Sequence, residues 1–105
     1  MAFNTVFIAL NPEADPKKDM SVIKTSKYVL HSILVQNFQQ AIDECKSIAA
    51  NQIINSIILC PGFTHKQVAA VFEAFETKVA VCIARADGPS SKIALDALVK
   101  EGIAN

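Results

Sequence analysis

The chain has 105 residues, enough for one domain with a single core but not for two. Its 10 basic and 10 acidic residues cancel, so the chain as a whole gives no electrostatic support for nucleic acid or an acidic membrane as a partner. Hydrophobic residues make up 51% of the sequence and glycine occurs three times, which disfavours a turn-rich β-sandwich and favours helices with buried strands.

The cysteines, the histidines and the first residues of the chain limit the kinds of site and the cellular location that we expect. Cys45, Cys60 and Cys82 are widely spaced, and the two histidines lie far apart in sequence, so we expect no disulfide framework, no metal and no cofactor. The first residues lack a basic segment, and the longest apolar runs are no longer than a strand, which predicts neither a signal peptide nor a membrane span. We therefore expect a cytoplasmic protein.

The amino-terminal part predicts a buried strand followed by a polar connection. Residues 3–10 are almost continuously apolar and rich in β-forming residues, which is typical of a strand buried on both faces. Residues 13–24 form the most polar segment and fit either a loop or a helix of two turns. We favour the short helix, because Asp15 is a suitable N-cap and Pro16 suits the first helical position.

A second strand and an amphipathic helix follow. Residues 27–36 are apolar except for His31 and Ser32, so one end or one face of this strand is expected to be less buried. Asn37 can cap a helix in which apolar residues recur at steps of three and four. Cys45 belongs to that apolar stripe, where we expect it to pack as a small buried hydrophobe.

The third strand and the helix after it are predicted by a turn and a cap. The apolar run at 53–60 predicts the strand, and Pro61-Gly62 ends it. Thr64 and Gln67 then have the spacing of a capping box, in which each side chain bonds the free backbone N–H of the other residue. The helix is expected to run to about residue 77.

The carboxyl-terminal part again predicts a strand followed by a helix. Residues 78–85 predict a fourth strand, with Cys82 in the core. A last helix is expected to be capped by Ser90 or Ser91 and to stop at Gly102, the residue type that most often ends a helix.

Strands that alternate with helical segments predict a parallel sheet with crossover helices. The first and third strands are the most uniformly apolar, and the order 2-1-3-4 places them in the centre. We therefore predict a single α/β domain over residues 1–105, a small three-layer structure of four mainly parallel strands with helices on both faces, like a shortened flavodoxin or Rossmann sheet. An antiparallel second strand and a ferredoxin-like sandwich are the alternatives.

This order leaves the fourth strand at an edge, although it is as apolar as a central strand. Edges of that kind are normally covered or paired. We therefore expect a homo-oligomer that associates through the fourth strand or the helices beside it. The alternative is that the last helix covers the edge alone.

The carboxyl ends of parallel strands share one edge, where open α/β sheets usually bind ligands. His65-Lys66 and Lys92 are expected in the first turns of two helices there, each opposing the helix dipole by ~0.3–1 kcal/mol. An anion bound at the helix N-termini would reverse that cost, and Arg85 could bind its carboxylate or phosphate in bidentate fashion. The expected ligand-binding residues are Asn11, Gly62, Thr64, His65, Lys66, Arg85, Asp87, Ser90 and Ser91. The alternative is that the lysines simply extend into solvent.

Cys60 is the only credible nucleophile. It ends a strand close to a helix N-terminus and to His65, and both would favour a thiolate. It also continues the apolar run 57–59, so structural packing is the favoured interpretation. The sequence contains neither GxxxxGK[ST] nor GxGxxG, which disfavours a P-loop and an ordinary dinucleotide site.

Several short features lie between the first and the fourth predicted strands. They are the apolar strand before Pro12, Asn37-Phe38 with Ala41, Cys60 with Gly62-Phe63, and Lys78-Val79. With these features the chain resembles a small family of bacterial α/β proteins of about 100 residues whose function is unknown. The resemblance implies a compact α/β domain, and it adds neither an activity nor a catalytic residue.

Three functions are open at this point. The first expectation is an oligomeric binding module for an anionic small molecule, held by the loops after the third and fourth strands. The second is a small enzyme with Cys60 as nucleophile and His65 as base. The third is a structural or partner-binding subunit, which would present an exposed apolar face and no formed pocket.

Overall fold

Five strands and three helices make up the fold of residues 1–104, the part of the chain that the computed structural model describes. No helix in this part has the length and apolar character needed to cross a membrane. In chain order the elements are β1 (Phe3–Leu10), β2 (Met20–Lys24), β3 (Tyr28–Val35), α1 (Phe38–Ala49), β4 (Ser56–Leu59), α2 (His65–Ala74), β5 (Ala80–Ile83) and α3 (Gly88–Lys100).

A single sheet with the order β2-β3-β1-β4-β5 organises these elements. β3, β1, β4 and β5 are parallel to one another, and β1 pairs along its whole length with β3. The predicted order of the four parallel strands is therefore confirmed. β3, the second strand of the prediction, is parallel to β1, and β5 lies at an edge as expected.

The connection between β1 and β3 differs from the prediction. Residues 20–24 form β2, which pairs antiparallel to β3, so the sheet has five strands and the predicted count of four is wrong. The predicted two-turn helix does not form. The Asp15 carboxylate accepts from the Lys17 N–H at 3.0 Å, as an N-cap does, and the Asp19 N–H donates to the Asp15 carbonyl at 2.7 Å. The turn then ends, because the Asp19 carbonyl accepts from the Leu34 N–H of β3 at 2.9 Å. These bonds close a tight turn, and the β-branched pair Val22-Ile23 then suits a strand.

The helices α1 and α2 share one face of the sheet and contact each other. α1 connects β3 to β4 and α2 connects β4 to β5, so both crossovers run in the same direction across the sheet. Right-handed crossovers in one direction place their helices on one face. The prediction of helices on both faces is wrong because β2, rather than a helix, lies between β1 and β3.

The core lies between the sheet and these two helices. Cys45 is buried there, and burial, with a smaller effect from the neighbouring Glu44 carboxylate, raises the pKa of its thiol to about 12. The prediction that Cys45 packs as a small hydrophobe is confirmed. The other buried residues of the core include Val6, Ile8, Ile33, Val35, Ala41, Ile42, Ile57, Leu59 and Val71.

His31 is also on the core side of the sheet. Its exposed fraction is 6%, and among the described residues its Nε2 atom has no hydrogen-bond partner. The polar interruption of this strand therefore does not mark a less buried position at His31. Ser32, which points to the opposite face, is half-buried.

Two of the predicted helix caps are confirmed. The Asn37 side chain accepts from the Gln40 N–H at 2.9 Å. Thr64 and Gln67 form the complete capping box, with bonds of 2.9 and 3.1 Å. At the other end of the chain, Gly102 has a φ of 77°, a conformation that glycine adopts without strain, and it follows the last turn of α3 as predicted.

Candidate functional site

The loops after β4 and β5 lie side by side at the carboxyl edge of the sheet. The Cys60 N–H donates to the Ile8 carbonyl at 2.9 Å, and the Ala84 N–H donates to the Leu59 carbonyl at 2.7 Å. These bonds extend the ladder pattern past the ends of β4 and β5. The loop after β4 is thereby fixed between the end of β1 and the loop after β5.

Gly62 lies in this loop where it approaches β1. A Cβ at Gly62 would lie 3.0 Å from Leu10 Cδ1 and 3.6 Å from Cys60 Sγ. The shorter distance is below ordinary van der Waals contact, so any larger residue would push Leu10 aside. Glycine allows the loop to pass over the end of the central strand.

Two hollows open on either side of this loop, and Pro61 and Ala86 line both of them. The first, the Arg85 hollow, has a volume of about 500 Å³. Its other lining residues are Phe63, Thr64, His65, Ile83, Ala84 and Arg85. The second, the α3 hollow, has a volume of about 530 Å³. Its other lining residues are Gly62, Ser91, Lys92, Ala94, Leu95, Leu98 and Ala104.

The two hollows differ in character but share one electrostatic property. The α3 hollow is mainly apolar, with Ser91 and Lys92 as its polar residues, whereas the Arg85 hollow also holds Thr64 and His65. Among the described residues, neither lining includes an aspartate or a glutamate. The carboxyl edge therefore combines apolar surface with two cationic side chains, those of Arg85 and Lys92.

Arg85 is exposed and already has one acidic partner. Its Nε donates to Asp87 Oδ1. This bond leaves the two terminal nitrogens of the guanidinium free to donate to another acceptor. Asp87, which the sequence analysis includes among the ligand-binding residues, thus neutralises Arg85 and lines neither hollow.

The start of α3 differs from the prediction. The helix begins at Gly88, with Asp87 in the N-cap position, rather than behind a cap at Ser90 or Ser91. Pro89 explains the earlier start, because its fixed φ suits the first turn of a helix. The Ser91 hydroxyl donates back to the Gly88 carbonyl at 3.0 Å, so the serine lies within the first turn and faces the α3 hollow.

The remaining predicted site residues separate into two groups. His65 and Lys66 lie exposed in the first turn of α2, as predicted, and no acidic residue accompanies them in that turn. Asn11 lines neither hollow. Its side chain instead accepts from the Glu13 N–H at 2.9 Å and stabilises the turn after β1.

Two of the cysteines can now be placed. Cys60 is half-buried and packs against the core, and it lines neither hollow. Cys82 is exposed on the face of the sheet that α1 and α2 leave uncovered, so the prediction that it lies in the core is wrong. Its neighbours in the strand, Val81 and Ile83, are the residues that pack against the core.

Comparison with known families gives one match. Residues 3–100 match a family described as a family of unknown function, DUF6506. The chain belongs to this family. Searches of curated proteins and of solved structures return no match. Membership of DUF6506 agrees with the resemblance drawn from the short sequence features, and it brings no assigned activity to the residues of the carboxyl edge.

Sequence reasoning missed the apolar wall of the α3 hollow. Ala94, Leu95 and Leu98 form part of this wall, and none of them is among the ligand-binding residues expected from the sequence. The signal was present, because apolar residues occupy most positions of α3, but it does not reveal which surface they face. As it stands, the edge can hold a small molecule with an apolar part and a negatively charged group.

Proposed function

We propose that this DUF6506 domain binds a small amphipathic anion at the carboxyl edge of its sheet. The negative group, a carboxylate or a phosphate, is bound by Arg85, with Thr64 and His65 as further hydrogen-bonding residues. The apolar part of the molecule extends past Pro61 into the α3 hollow, towards Lys92.

The observation that carries this proposal is the absence of acidic side chains from both described linings, in a chain whose total charge is zero. Asp87 and Asp96 do pair with Arg85 and Lys92, but these pairs are exposed. Exposed ion pairs contribute only about 0–1 kcal/mol. An anion that accepts two hydrogen bonds from the guanidinium can therefore replace Asp87 at little cost.

The dimensions of the hollows fit a metabolite rather than a macromolecule. Each hollow has a volume of about 500 Å³, within the range of roughly 300–1,000 Å³ that is usual for small-molecule sites. Because most of the α3 hollow is apolar, an inorganic anion would use only part of the site. We expect inorganic phosphate to bind more weakly than an anion with an aliphatic or aromatic part.

This proposal has more support than a cysteine-dependent reaction. A nucleophile must reach its substrate, whereas Cys60 packs against the core and lines neither hollow. The purely structural alternative predicts an apolar face without a pocket. The apolar face exists, but the two hollows are present as well.

Calorimetric titration with octanoate, octyl phosphate and neutral octanol tests the proposal. We expect both anions to bind, octanol to bind at least tenfold more weakly, and Arg85→Met to remove at least tenfold of the affinity for the anions. Lys78→Met is the matched control, because Lys78 is an equally exposed cation paired with a carboxylate, but it precedes β5 at the other end of the strand. Equal affinities for octanol and octanoate, or equal losses in the two variants, would refute the anion site.

A further inference from the structure

The face of the sheet opposite α1 and α2 is uncovered and uncharged. Its residues alternate along each described strand with those that face the core, and none of them is Asp, Glu, Lys or Arg. We call this surface the open face. Its largest side chains are Phe3, Phe7, Ile23, Tyr28, Leu30, Leu34 and Ile58.

The open face does not have the composition of a solvent-exposed surface. A sheet with one face in water usually places polar side chains on that face. Here Phe3 is 47% exposed and Leu34 is 37% exposed. Near Leu34 the surface includes a groove of about 490 Å³, which Lys18 and Asp19 border with opposite charges. Continuous exposed apolar surface of this kind usually marks a binding surface.

The last helix, α3, also exposes apolar side chains to solvent. None of the thirteen residues of α3 is buried, and Ile93 is 72% exposed. At 3.6 residues per turn, the apolar side chains of residues 93–99 cover about two thirds of the helix circumference, and Lys92, Asp96 and Lys100 occupy the remainder. A helix that is apolar over so wide an arc needs more than one covering surface. The α3 hollow accounts for one side only.

The accessible area measures how much surface is left uncovered. A compact monomer of 11.3 kDa is expected to expose about 5,700 Å², whereas this chain exposes 6945 Å², an excess of about 1,200 Å². Its radius of gyration is 14.1 Å, against about 12.9 Å for a compact chain of this length. A stable interface typically buries about 800 Å² on each partner. The excess is therefore sufficient for one such interface.

We propose that two copies of the chain associate reciprocally, with α3 of each copy lying on the open face of the other. The dimensions agree: thirteen residues make α3 about 20 Å long, and five strands make the open face about 19 Å wide. The open face has no charged residue, and the charged residues of α3 are confined to one third of its circumference, so the apolar part of the helix can contact the open face. Each copy supplies one helix and one face, which satisfies two-fold symmetry.

The proposal narrows the self-association expected from the sequence to one pair of surfaces. It retains the helix next to β5, but it replaces the edge of β5 by the open face of the sheet as the receiving surface. Its test does not depend on the anion site, because Leu34 and Ile93, the residues that the test changes, line neither the Arg85 hollow nor the α3 hollow.

Light scattering coupled to size exclusion, on the full chain at micromolar concentration, tests both surfaces. We expect twice the chain mass for the wild type and a single chain mass for Leu34→Glu and for Ile93→Glu. Both substituted side chains are exposed in the single chain, so neither charge should prevent folding, which circular dichroism checks. Ile53→Glu is the control: Ile53 is 63% exposed but lies between α1 and β4, on neither surface, and this variant should remain a dimer.

The pattern of results identifies the interface. A wild type that is monomeric overturns the proposal. A dimer that only Leu34→Glu dissociates indicates two open faces in contact, and one that only Ile93→Glu dissociates indicates a contact between two α3 helices. Either result overturns the proposed pairing, whereas dissociation by both variants and not by the control supports it.

The reactivity of the Cys82 thiol provides a second test of the dimer, independent of the mass measurement. It lies on the open face and is exposed in the single chain. In the proposed dimer its thiol is covered, so we expect Ellman's reagent to modify it at least tenfold more slowly in the wild type than in Ile93→Glu. Peptide mass spectrometry separates Cys82 from Cys45 and Cys60. Equal rates in the two proteins would overturn the proposal even if both variants failed to fold well.

Discussion

Replacing His31 by leucine should stabilise the protein. His31 lies on the core side of β3, in register with Val6 of β1 and Val22 of β2, and its Nε2 has no hydrogen-bond partner among the described residues. Leaving a buried polar group unpaired costs about 1–3 kcal/mol. Leucine has a similar volume and no polar atom, but its different shape should cost part of that gain.

We expect the free energy of unfolding to rise by about 1 kcal/mol in His31→Leu, which corresponds to about 4–8 °C in the melting temperature of a domain of this size. Urea titrations of the wild type and the variant at pH 7.5 measure the difference. His31→Gln is the matched control, because it keeps polar atoms at the buried position and should give no gain. His65→Leu, at an exposed position, should change stability by less than about 0.5 kcal/mol.

A loss of stability in His31→Leu would refute this reasoning. A decrease of more than about 1 kcal/mol, with His65→Leu neutral, would mean that the imidazole makes a net stabilising hydrogen bond in solution. The partner of the imidazole in that case would be an ordered water molecule. The control distinguishes this result from a general effect of removing a histidine.

Two further predictions concern the core and a cap. Asn37→Ala removes the acceptor for the Gln40 N–H and should destabilise the protein by about 0.5–2 kcal/mol, whereas Asn37→Asp should keep most of the stability. The pKa of Cys45 is raised from 9.0 to about 12 by folding, so the unfolded chain loses this proton first as the pH rises. Between pH 9 and 12 this group should therefore reduce stability by up to about 1.4 kcal/mol per pH unit. Urea titrations at pH 8 and pH 10 should show a smaller loss in Cys45→Val than in the wild type, and Cys82→Ser should behave as the wild type does; equal losses in all three would contradict the assignment.

The parts of the fold that sequence predicts well depend on local signals. The side chains of Asn37 and of Thr64-Gln67 bond to backbone groups three residues away, so the residues that form each cap are visible in a short window. The four parallel strands are apolar runs, and β1 and β4, which correspond to the two most uniformly apolar runs, are interior strands of the sheet. Their ends are less visible: the third strand, predicted at 53–60, is reduced to β4 at 56–59.

β2 could not be predicted from its own residues. The five residues of this strand are stabilised by pairing with β3, a contact that forms only after the chain has turned back. The Asp15-Pro16 helix start is a correct local signal, but the turn that it begins ends at Asp19, whose carbonyl accepts from the Leu34 N–H of β3. Because β2 replaced a helix, one incorrect local assignment changed the number of layers.

The position of the candidate site could be predicted from the sequence, but most of its side-chain contacts could not. Strand order alone brings the loops after β4 and β5 together, and with them Thr64, His65 and Arg85. The pairing of Arg85 with Asp87 and the use of Asn11 by its own turn depend on side-chain conformation, which sequence does not specify. The position of α3 depends on tertiary contacts and could not be read from its apolar pattern.

The residue pattern of β1 gives a further argument for the proposed dimer. Its residues alternate between the core, with Val6 and Ile8, and the open face, with Phe7 and Ala9, and both sets are apolar. Such a pattern is typical of strands that are covered on both faces. Residues 1–104 cover only one of these faces, because the connection through β2 supplies no helix for the other. Among residues 1–104, α3 is an apolar helix that has no buried residue. In the proposed dimer, the exposed α3 of each copy covers the open face of the other copy. Both apolar surfaces are then buried by the same contact.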